Sequence, residues 1–549
     1  MIKNYIKTAL RNFSRNIMFS LINLVGLAVG LTASIFIFLY VFNEFNHDRF
    51  HENSDRIYRT NVIFRQQNSQ SMGGTSTAAM GPDLLAEFPE IENMLRFSHP
   101  QSAFLAHEGK THELRQLSYA DSSFFDVFTF KLIKGNEKNV LNEPYSLVLS
   151  ESLAKQIFGD DDPVGEVLRL NNKHGFVVRG IVEDAPSNST LQYDALASFS
   201  TLYTYDDIYL SWDGGYAYTT YILLRENSEL SSVYEKLPPF LEKHINHKYK
   251  KIGVELDMYF EALEDIHLFT KADGEGSNVA GLITFSAIAL MILLIACVNF
   301  MNLSTARSAK RSREVGIRKV LGGTRRSLRW QFLTEALIMS FASAVLAMML
   351  VELFLPSFNN IVGKNLSLYS SDNLVLLLGL FLLVILVGIL SGSYPAFYLS
   401  SVKPVKVLKG GWFSPSGKTL FRNVLVVFQF CITTVLIIST IVIYRQLNHL
   451  NKTDLGYEKE SIVYFPLLGD HAKESVEVLK NELKAFPFVY AAGATSAMPG
   501  WNFTRNGYFP EGYEEPVMIN VLDVDEDFLE TMDIEIAKGE GFSDASSLD

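Results

Sequence analysis

The sequence predicts an α-helical bundle of five transmembrane spans, with an α+β extracytoplasmic domain and the start of a second one. Three observations predict this fold class: five long apolar runs, basic segments that separate alternate runs, and an acidic segment without cysteine, 43–280. A helix crosses the hydrocarbon core of a bilayer with about 20 apolar residues, and all five runs are long enough. The predicted spans are 19–41, 281–303, 331–355, 374–400 and 423–444.

The first run could instead be a signal peptide. Its apolar part is longer than a typical signal-peptide core, and no A-x-A-like cleavage site follows Val41. We therefore interpret it as a span.

The distribution of charge orients the spans. Four basic residues and no acidic residue precede span one, nine basic residues and Glu314 lie between spans two and three, and four lysines lie between spans four and five. Basic loops stay in the cytoplasm. We therefore expect the N-terminus to be cytoplasmic. The expected cytoplasmic segments are 1–18, 304–330 and 401–421, and the expected extracytoplasmic segments are 43–280 and 445–549.

Segment 43–280 is long enough to form a domain. It has 36 acidic and 21 basic residues, which argues against nucleic acid as a partner. Both cysteines, Cys297 and Cys431, lie in predicted spans, so no disulfide can form in this domain. Its stability must therefore come from packing.

Strand and helix patterns alternate in this segment, which predicts the α+β class. Tyr145–Leu149 is a predicted strand, Ser150 a helix N-cap, Glu151–Phe158 a helix and Gly159 its end. The sequence predicts further strands at Phe176–Val182 and Tyr216–Leu224, and a turn at Pro186–Ser189.

Part of the outer segment recurs later in the chain. Asp121-x-x-Phe124 followed by Lys134-Gly135 recurs with identical spacing as Asp525-x-x-Phe528 followed by Lys538-Gly539. Further matches in the same order indicate an internal duplication. Because the second copy stops early, we expect the chain to be a fragment of a longer one, and a short natural product is the alternative.

Three stretches carry a family resemblance. The first runs from Asn299 to Gly322, the second from Ser391-Gly-Ser-Tyr-Pro395 to Pro404, and the third begins at Asn142-Glu-Pro and includes Asp162-Pro-Val-Gly165. The chain resembles the permease family that includes FtsX, the lipoprotein-release permeases and the macrolide exporter MacB, and its doubled arrangement resembles the eight-span members. The resemblance implies a MacB-like periplasmic core domain at 43–280, an FtsX-like permease domain at 281–404 and a partial second core domain at 445–549.

The resemblance also implies a function. Members of this family are the membrane part of type VII ABC systems in the cytoplasmic membrane. A separate cytoplasmic ATPase dimer docks on the permease and moves its periplasmic domain for export or extrusion, which is called mechanotransmission. The helix after span two would be the coupling element, and its expected coupling residues are Arg311, Arg313, Glu314, Gly316, Arg318, Lys319 and Gly322.

Several alternatives remain open. The basic segment after span two could be an anchor in anionic membrane lipid rather than a coupling element. The chain could be a membrane-anchored sensor, or an FtsX-like regulator of envelope hydrolases. A periplasmic adaptor or an outer-membrane channel remains open as a further partner.

The chain is not expected to be an enzyme. Gly417-Lys418-Thr419 matches the end of a phosphate-binding loop, but the first glycine of that motif would stand where Trp412 lies. No other segment resembles this loop, and no cofactor is expected. The ATPase is therefore expected to be a separate polypeptide.

Other candidate residues carry weaker signals. His47-x-x-x-His51 would suit a metal ion on one helix face, but a stalk surface is the commoner case, so no metal site is predicted. Glu335 lies near one end of span three, where a carboxylate can reach the membrane interface. Residues expected to serve helix packing, although the glycines could be incidental, are Gly26, Gly30, Asn299, Asn302, Gly388, Gly392 and Pro395.

Overall fold

The computed structural model divides into two compact units. The helical unit comprises Met1–Asn46 and Ser277–Leu450, and the sheet unit comprises His47–Gly276 and Asn451–Asp549. The structure describes residues 2–66, 70–272, 279–306, 308–368, 374–401, 419–457, 461–467, 472, 474–498, 504–508, 510–512, 517–539 and 541–542.

Within the described residues, the helical unit has five helices that are long and apolar enough to cross a membrane. These spans one to five are Ile17–Phe45, Val279–Ala306, Arg325–Val362, Leu374–Ser400 and Thr419–Lys452. Each of them contains the corresponding predicted span, so the predicted fold class of this unit is confirmed. A shorter helix, Ile2–Arg15, precedes span one, and the connecting helix, Ser308–Val320, follows span two.

Spans one to four share one apolar core. Leu31 of span one, Cys297 of span two, Ala347 of span three and Val387 of span four are all buried in it. Lipid tails are as apolar as these side chains, so helix association in a membrane depends on close packing rather than on burial from water. Close packing of these spans therefore depends on small residues at their contacts.

Three of the predicted packing glycines lie where two spans approach closely. A Cβ atom on Gly30 would lie 2.6 Å from Ala296 Cβ, so spans one and two approach closely at this position. A Cβ atom on Gly392 would lie 2.6 Å from Ala336 Cβ, and one on Gly388 would lie 2.7 Å from Leu337 Cδ2. Spans three and four are thus held together at two successive turns, where a larger residue would force them apart.

The other predicted packing residues lie nearby. Gly26 faces the side-chain amide of Asn299, whose Nδ2 would be 3.4 Å from a Cβ atom at that glycine. Asn302 is half-buried in the last part of span two. Pro395 lies inside span four and lines a cavity of about 50 Å³ together with Phe332 and other residues.

In the part of the chain that the structure describes, the sheet unit contains a twelve-stranded sheet. They are β1 Ile57–Arg65, β2 Gln70–Gly73, β3 Ile91–Ser98, β4 Gln101–His107, β5 Lys110–Ala120, β6 Leu132–Lys134, β7 Ser146–Ser150, β8 Val167–Leu170, β9 His174–Val182, β10 Ala195–Ser198, β11 Tyr218–Leu224 and β12 Glu255–Ala262. The α-helices among them are Met80–Glu87, Phe124–Val127, Glu151–Phe158, Leu230–Leu241, His247–Tyr249 and Leu263–Phe269. The predicted α+β class is confirmed.

Six of these strands close into a ring. β5 pairs with β10 in parallel, β10 pairs with β7, β7 pairs with β9 in parallel, and β8 and β4 lead back to β5. The sheet then continues from β5 through β3, β11 and β1 to β12. Closure pairs both edges of every strand in the ring, which is one way to protect strand edges from other chains.

The predicted strand, cap and helix around Ser150 are confirmed. The Ser150 hydroxyl oxygen accepts a hydrogen bond from the Leu153 amide at 3.4 Å, and the helix Glu151–Phe158 ends at Gly159, whose φ is 63°. Serine caps a helix because its oxygen satisfies a free backbone amide, and glycine ends one because it tolerates positive φ.

Two predicted strand boundaries were wrong by two residues. β11 begins at Tyr218 rather than Tyr216, because a turn at Gly215 with a φ of 69° occupies the preceding residues. β9 begins at His174 rather than Phe176, because its first residues pair with β8 in a hairpin. The turn after Pro186 is confirmed by the hydrogen bond from the Ser189 amide to the Pro186 carbonyl.

The second segment of the sheet unit has elements like those of the first. It contains the helix Val476–Lys484, the hairpin of β13 (Thr504–Tyr508) and β14 (Val517–Val521), and the short helix Phe528–Thr531. The Ser496 hydroxyl accepts the Asp523 amide at 3.0 Å, just as the Ser98 hydroxyl accepts the Tyr119 amide at 2.7 Å. The duplication indicated by the sequence spacing therefore extends to individual hydrogen bonds.

The interpretation of His47 and His51 as a stalk surface was wrong, because both side chains are buried. Residues 46–50 form turns rather than a helix. His51 Nδ1 accepts the Thr129 amide at 3.1 Å, and the His47 ring stacks on His267 with centroids 3.8 Å apart. Within the described residues, no group of His, Cys, Asp and Glu could hold a metal ion.

Candidate functional site

The candidate site is the connecting helix, which follows span two and precedes span three. It ends in a Schellman motif: the Gly323 amide bonds the Arg318 carbonyl at 2.8 Å, and the Gly322 amide bonds the Lys319 carbonyl at 3.2 Å. Gly322 has a φ of 94°, which this motif requires and which only glycine adopts without strain. The Thr324 hydroxyl then caps span three. Gly322, one of the expected coupling residues, thus ends the connecting helix with a defined geometry.

Among the described side chains of the connecting helix, Val315 anchors it to the spans. Val315 is only 3% exposed and packs with Leu328 and Phe332 of span three and with Ala396 and Leu399 of span four. The adjacent Gly316 is also buried. The inner face of the helix therefore contacts the ends of two different spans.

Arg318 makes polar contacts beside this anchor. Its Nη1 donates a hydrogen bond to Gln331 Oε1 at 2.7 Å, and its Nη2 lies 2.7 Å from Glu314 Oε1. Gln331 in turn donates from Nε2 to Glu335 Oε1 at 3.3 Å. The three side chains form a continuous path from the connecting helix into span three.

Lys319 makes the corresponding contact with span four. Its Nζ donates to the Ser400 carbonyl at 2.6 Å. Burial, and then the positive charge of Arg325, lower the pKa of Lys319 below its ordinary value. Arg329 also reaches Ser400, since its Nε donates to the Ser400 hydroxyl at 3.2 Å. The last residue of span four is therefore held by two basic side chains.

The opposite face of the connecting helix is exposed. Ile317 is 47% exposed, Val320 64% and Leu321 81%, and Glu314 is exposed beside them. Residues spaced by three and four lie on one face of a helix, so these apolar side chains form a stripe. We call Ile317, Val320 and Leu321 the outer stripe.

The structure separates the predicted coupling residues into groups. Gly316, Arg318 and Lys319 face the spans, whereas Glu314 is exposed and also pairs with Arg318. The side chains of Arg311 and Arg313 lie outside the described residues, although both positions belong to the helix. Their contribution to coupling stays a prediction.

Several residues of the site were missed by the sequence interpretation. Gln331, Arg329 and Ser400 carried no signal beyond polarity near the end of an apolar run. Glu335 was expected to reach the membrane interface, but it is 7% exposed and bonded to Gln331. A pair of polar residues four apart, such as Gln331 and Glu335, lies on one helix face and was the available signal.

Two family models match parts of the chain. Residues 20–239 match the model of the MacB-like periplasmic core domain, and residues 286–404 match that of the FtsX-like permease C-terminal region. The chain is a MacB/FtsX-like permease. The candidate site lies wholly inside the FtsX-like match. With its apolar spans and MacB-like domain, this permease is a multi-pass inner-membrane protein with an extracytoplasmic domain.

Individual relatives of this MacB/FtsX-like permease are distant. It is 23% identical to the macrolide export ATP-binding/permease protein MacB of Bdellovibrio bacteriovorus, over 48% of this chain and 38% of that protein. It is 22% identical to the uncharacterized ABC transporter permease YvrN of Bacillus subtilis, over 56% of this chain and 74% of that protein. The chain thus spans less than half the length of that MacB.

One solved structure is similar to part of the permease. The periplasmic region of MacB from Actinobacillus actinomycetemcomitans is 19% identical, with a TM-score of 0.27, over 38% of this chain and 90% of that one.

Proposed function

We propose that the chain is the permease subunit of an ABC transporter, driven by a separate cytoplasmic ATPase dimer that docks on the connecting helix. The observation that carries the proposal is the two-sided character of this helix. Its inner face is bonded to spans three and four, and its outer stripe of apolar side chains is exposed. An amphipathic helix face in a partner groove is a recurrent mode of recognition.

The proposal includes an orientation with the N-terminus and the connecting helix in the cytoplasm. The Tyr5 hydroxyl lies 3.0 Å from the Ser327 hydroxyl, so the N-terminal helix and the start of span three lie on one side of the membrane. The many basic residues on this side favour the cytoplasm. The MacB-like domain then lies in the periplasm, where its movement would expel a substrate.

The names of the relatives support the function of an ABC transporter permease but not the coupling mechanism. Those that match are ATP-binding/permease proteins or ABC transporter permeases. ATP-driven movement of the periplasmic domain is our proposal for this chain. A periplasmic adaptor or an outer-membrane channel would be an additional partner.

The test is a pull-down of the tagged native protein from its host in mild detergent, with mass spectrometry of the bound proteins. Near-stoichiometric recovery of an ATP-binding-cassette protein is the expected result. Absence of any such protein, with the permease intact and folded, would contradict the proposal and favour a sensor or a lipid anchor.

A further inference from the structure

The connecting helix touches two spans that are themselves packed tightly together. Gly388 and Gly392 of span four lie against Leu337 and Ala336 of span three at contacts with no room for a side chain. A displacement applied to the cytoplasmic end of either span is therefore passed to the other. An element that is bound to the ends of both spans can therefore move spans three and four together.

The polar contact with span three is made by Arg318. Two nitrogens of the planar Arg318 guanidinium contact Gln331 and Glu314, and the angle between these two donors is fixed. Gln331 and Glu335 are 8% and 7% exposed, so water competes little for the bond between them, whereas the side chains of Arg318 and Glu314 are 38% and 56% exposed. The path from the connecting helix ends at Glu335, about three helical turns from the start of span three at Arg325.

The polar contact with span four is made by Lys319, the next residue of the connecting helix. Lys319 donates to the backbone carbonyl of Ser400, so this contact follows the position of the span's end rather than a mobile side chain. Arg318 and Lys319 are adjacent in sequence and serve different spans. Together with Val315 they join the inner face of the helix to both spans.

We propose that Arg318, Lys319 and Gln331 form a transmission joint: they are positioning residues that convert displacement of the connecting helix into displacement of spans three and four. This inference rests on the proposed function and refines it. The charged residues Arg318 and Lys319 act inward, on the spans, and the outer stripe is what faces the ATPase. Losing the joint uncouples the permease without detaching its partner.

The main test compares variants in the purified complex with the ATPase recovered from the host. Arg318→Gln and Gln331→Met should each lower the kcat of permease-stimulated ATP hydrolysis about tenfold. The KM for ATP and the amount of ATPase retained should stay unchanged. Arg326→Gln is the matched control, because Arg326 is an exposed residue of the same basic segment outside the joint, and it should keep full stimulation.

Combining the variants sharpens the result. If Arg318 and Gln331 act through one bond, the double variant should be no worse than either single one. Equal losses in Arg318→Gln and Arg326→Gln would show that total charge is what matters. Loss of ATPase retention in Arg318→Gln would make Arg318 a docking residue, and either outcome overturns the joint.

A rescue experiment distinguishes the joint from general destabilisation. Arg318→Cys with Gln331→Cys, in a chain whose Cys297 and Cys431 are replaced by serine, should lose stimulation and regain it when a short thiol cross-linker bridges the pair. No recovery in a folded, cross-linked protein would contradict the proposal.

A second measurement needs no ATPase. Hydrogen exchange in Ser308–Val320 of the solubilised chain should rise in Arg318→Gln and Gln331→Met, and stay unchanged in Arg326→Gln. If the wild-type protein recovers no ATPase, the proposed function fails and this measurement still decides the mechanical link. Unchanged exchange in all three variants would exclude the joint.

Discussion

Asp121 and Asp525 make the same backbone hydrogen bonds in two separate segments of the chain. Asp121 Oδ2 accepts the Arg96 amide at 2.8 Å, and the Asp121 amide donates to the Arg96 carbonyl at 3.3 Å. Asp525 makes both bonds with Ala494, at 2.8 and 3.1 Å. The cations differ: Arg96 itself pairs with Asp121, whereas Lys480 pairs with Asp525 at 2.8 Å. Each copy thus keeps a cation at this aspartate, supplied by a strand in one and by a helix in the other.

Replacing Arg96 with methionine should strongly destabilise the first copy. The substitution would leave Asp121 in a largely buried site without its cation, and breaking a buried ion pair in this way costs about 3–5 kcal/mol. The matched control, Arg65→Met, removes an exposed pair with Asp257 and should cost less than about 1 kcal/mol. Hydrogen exchange of β3 in the solubilised chain measures both losses. Equal losses would show that burial of the Arg96 pair contributes nothing.

Replacing Lys480 with methionine should destabilise the second copy. Burial alone lowers the pKa of the Lys480 ammonium, but hydrogen bonds to Asp525 and Asp527 outweigh it and raise the pKa above its ordinary value. Without this cation, the neighbouring carboxylates repel one another. Lys484→Met removes a more exposed partner of Asp527 and should have a smaller effect. Hydrogen exchange of Val476–Lys484 checks the order, and partial recovery on adding Asp525→Asn would identify repulsion as the cause.

Acid should destabilise the sheet unit through His51. Burial lowers the pKa of His51 to about 3, below the value of about 6.5 expected in the unfolded chain. The neutral imidazole therefore favours the folded state above pH 6.5, and this stability is lost as the pH falls through the window towards 3. Between about pH 7.5 and about pH 5 the loss should be about 2 kcal/mol.

The His51 prediction is checked with His51→Asn, whose side-chain oxygen can still accept the Thr129 amide. Hydrogen exchange of the neighbouring strands at the two pH values should show a weaker pH dependence in this variant. An unchanged pH dependence would assign the acid effect to other groups.

Gly30→Ala should destabilise the contact between spans one and two. The new methyl group would overlap the Ala296 side chain, and overpacking of this kind costs about 1–3 kcal/mol. Gly281→Ala, where nothing lies within 4 Å of the added Cβ, is the control. Thermal unfolding in detergent measures the difference. The exchange variant Gly30→Ala with Ala296→Gly should recover much of the loss, and failure to do so would show that overlap with Ala296 is not the cause.

Leu321→Glu should weaken binding of the ATPase. The side chain is 81% exposed in the outer stripe, so a charge there should not disturb folding but should oppose burial in an apolar groove. Recovery of the ATPase in the pull-down measures the effect. Val167→Glu alters an exposed valine of the sheet unit and should leave recovery unchanged. Equal recovery in all three proteins would exclude the outer stripe as the docking surface.

Elements set by local sequence were predictable. The spans follow from long apolar runs, and the helix after Ser150 follows from a capping serine and a terminal glycine, because each signal lies within the element it defines. The helix stop at Gly322 was predictable for the same reason.

Contacts between distant parts of the sequence were not predictable. Gln331 and Ser400 become part of the site only because spans three and four end beside the connecting helix, and Lys480 reaches Asp525 from a different helix. The same limit explains His47 and His51, whose spacing suggested a helix face, whereas turns and packing against Phe128 and His267 bury them. In each case tertiary packing decides the role of a polar residue.

The Schellman turn leaves only Leu321–Thr324 between the connecting helix and span three. A link this short allows little independent motion, so a tilt at one of its ends shifts the other by covalent geometry alone. Lengthening this link by a few flexible residues would let the connecting helix move independently of span three. Permease-stimulated ATP hydrolysis should then weaken even if every noncovalent contact stayed in place. The number of residues in this turn is thus as much a part of the mechanism as their identity.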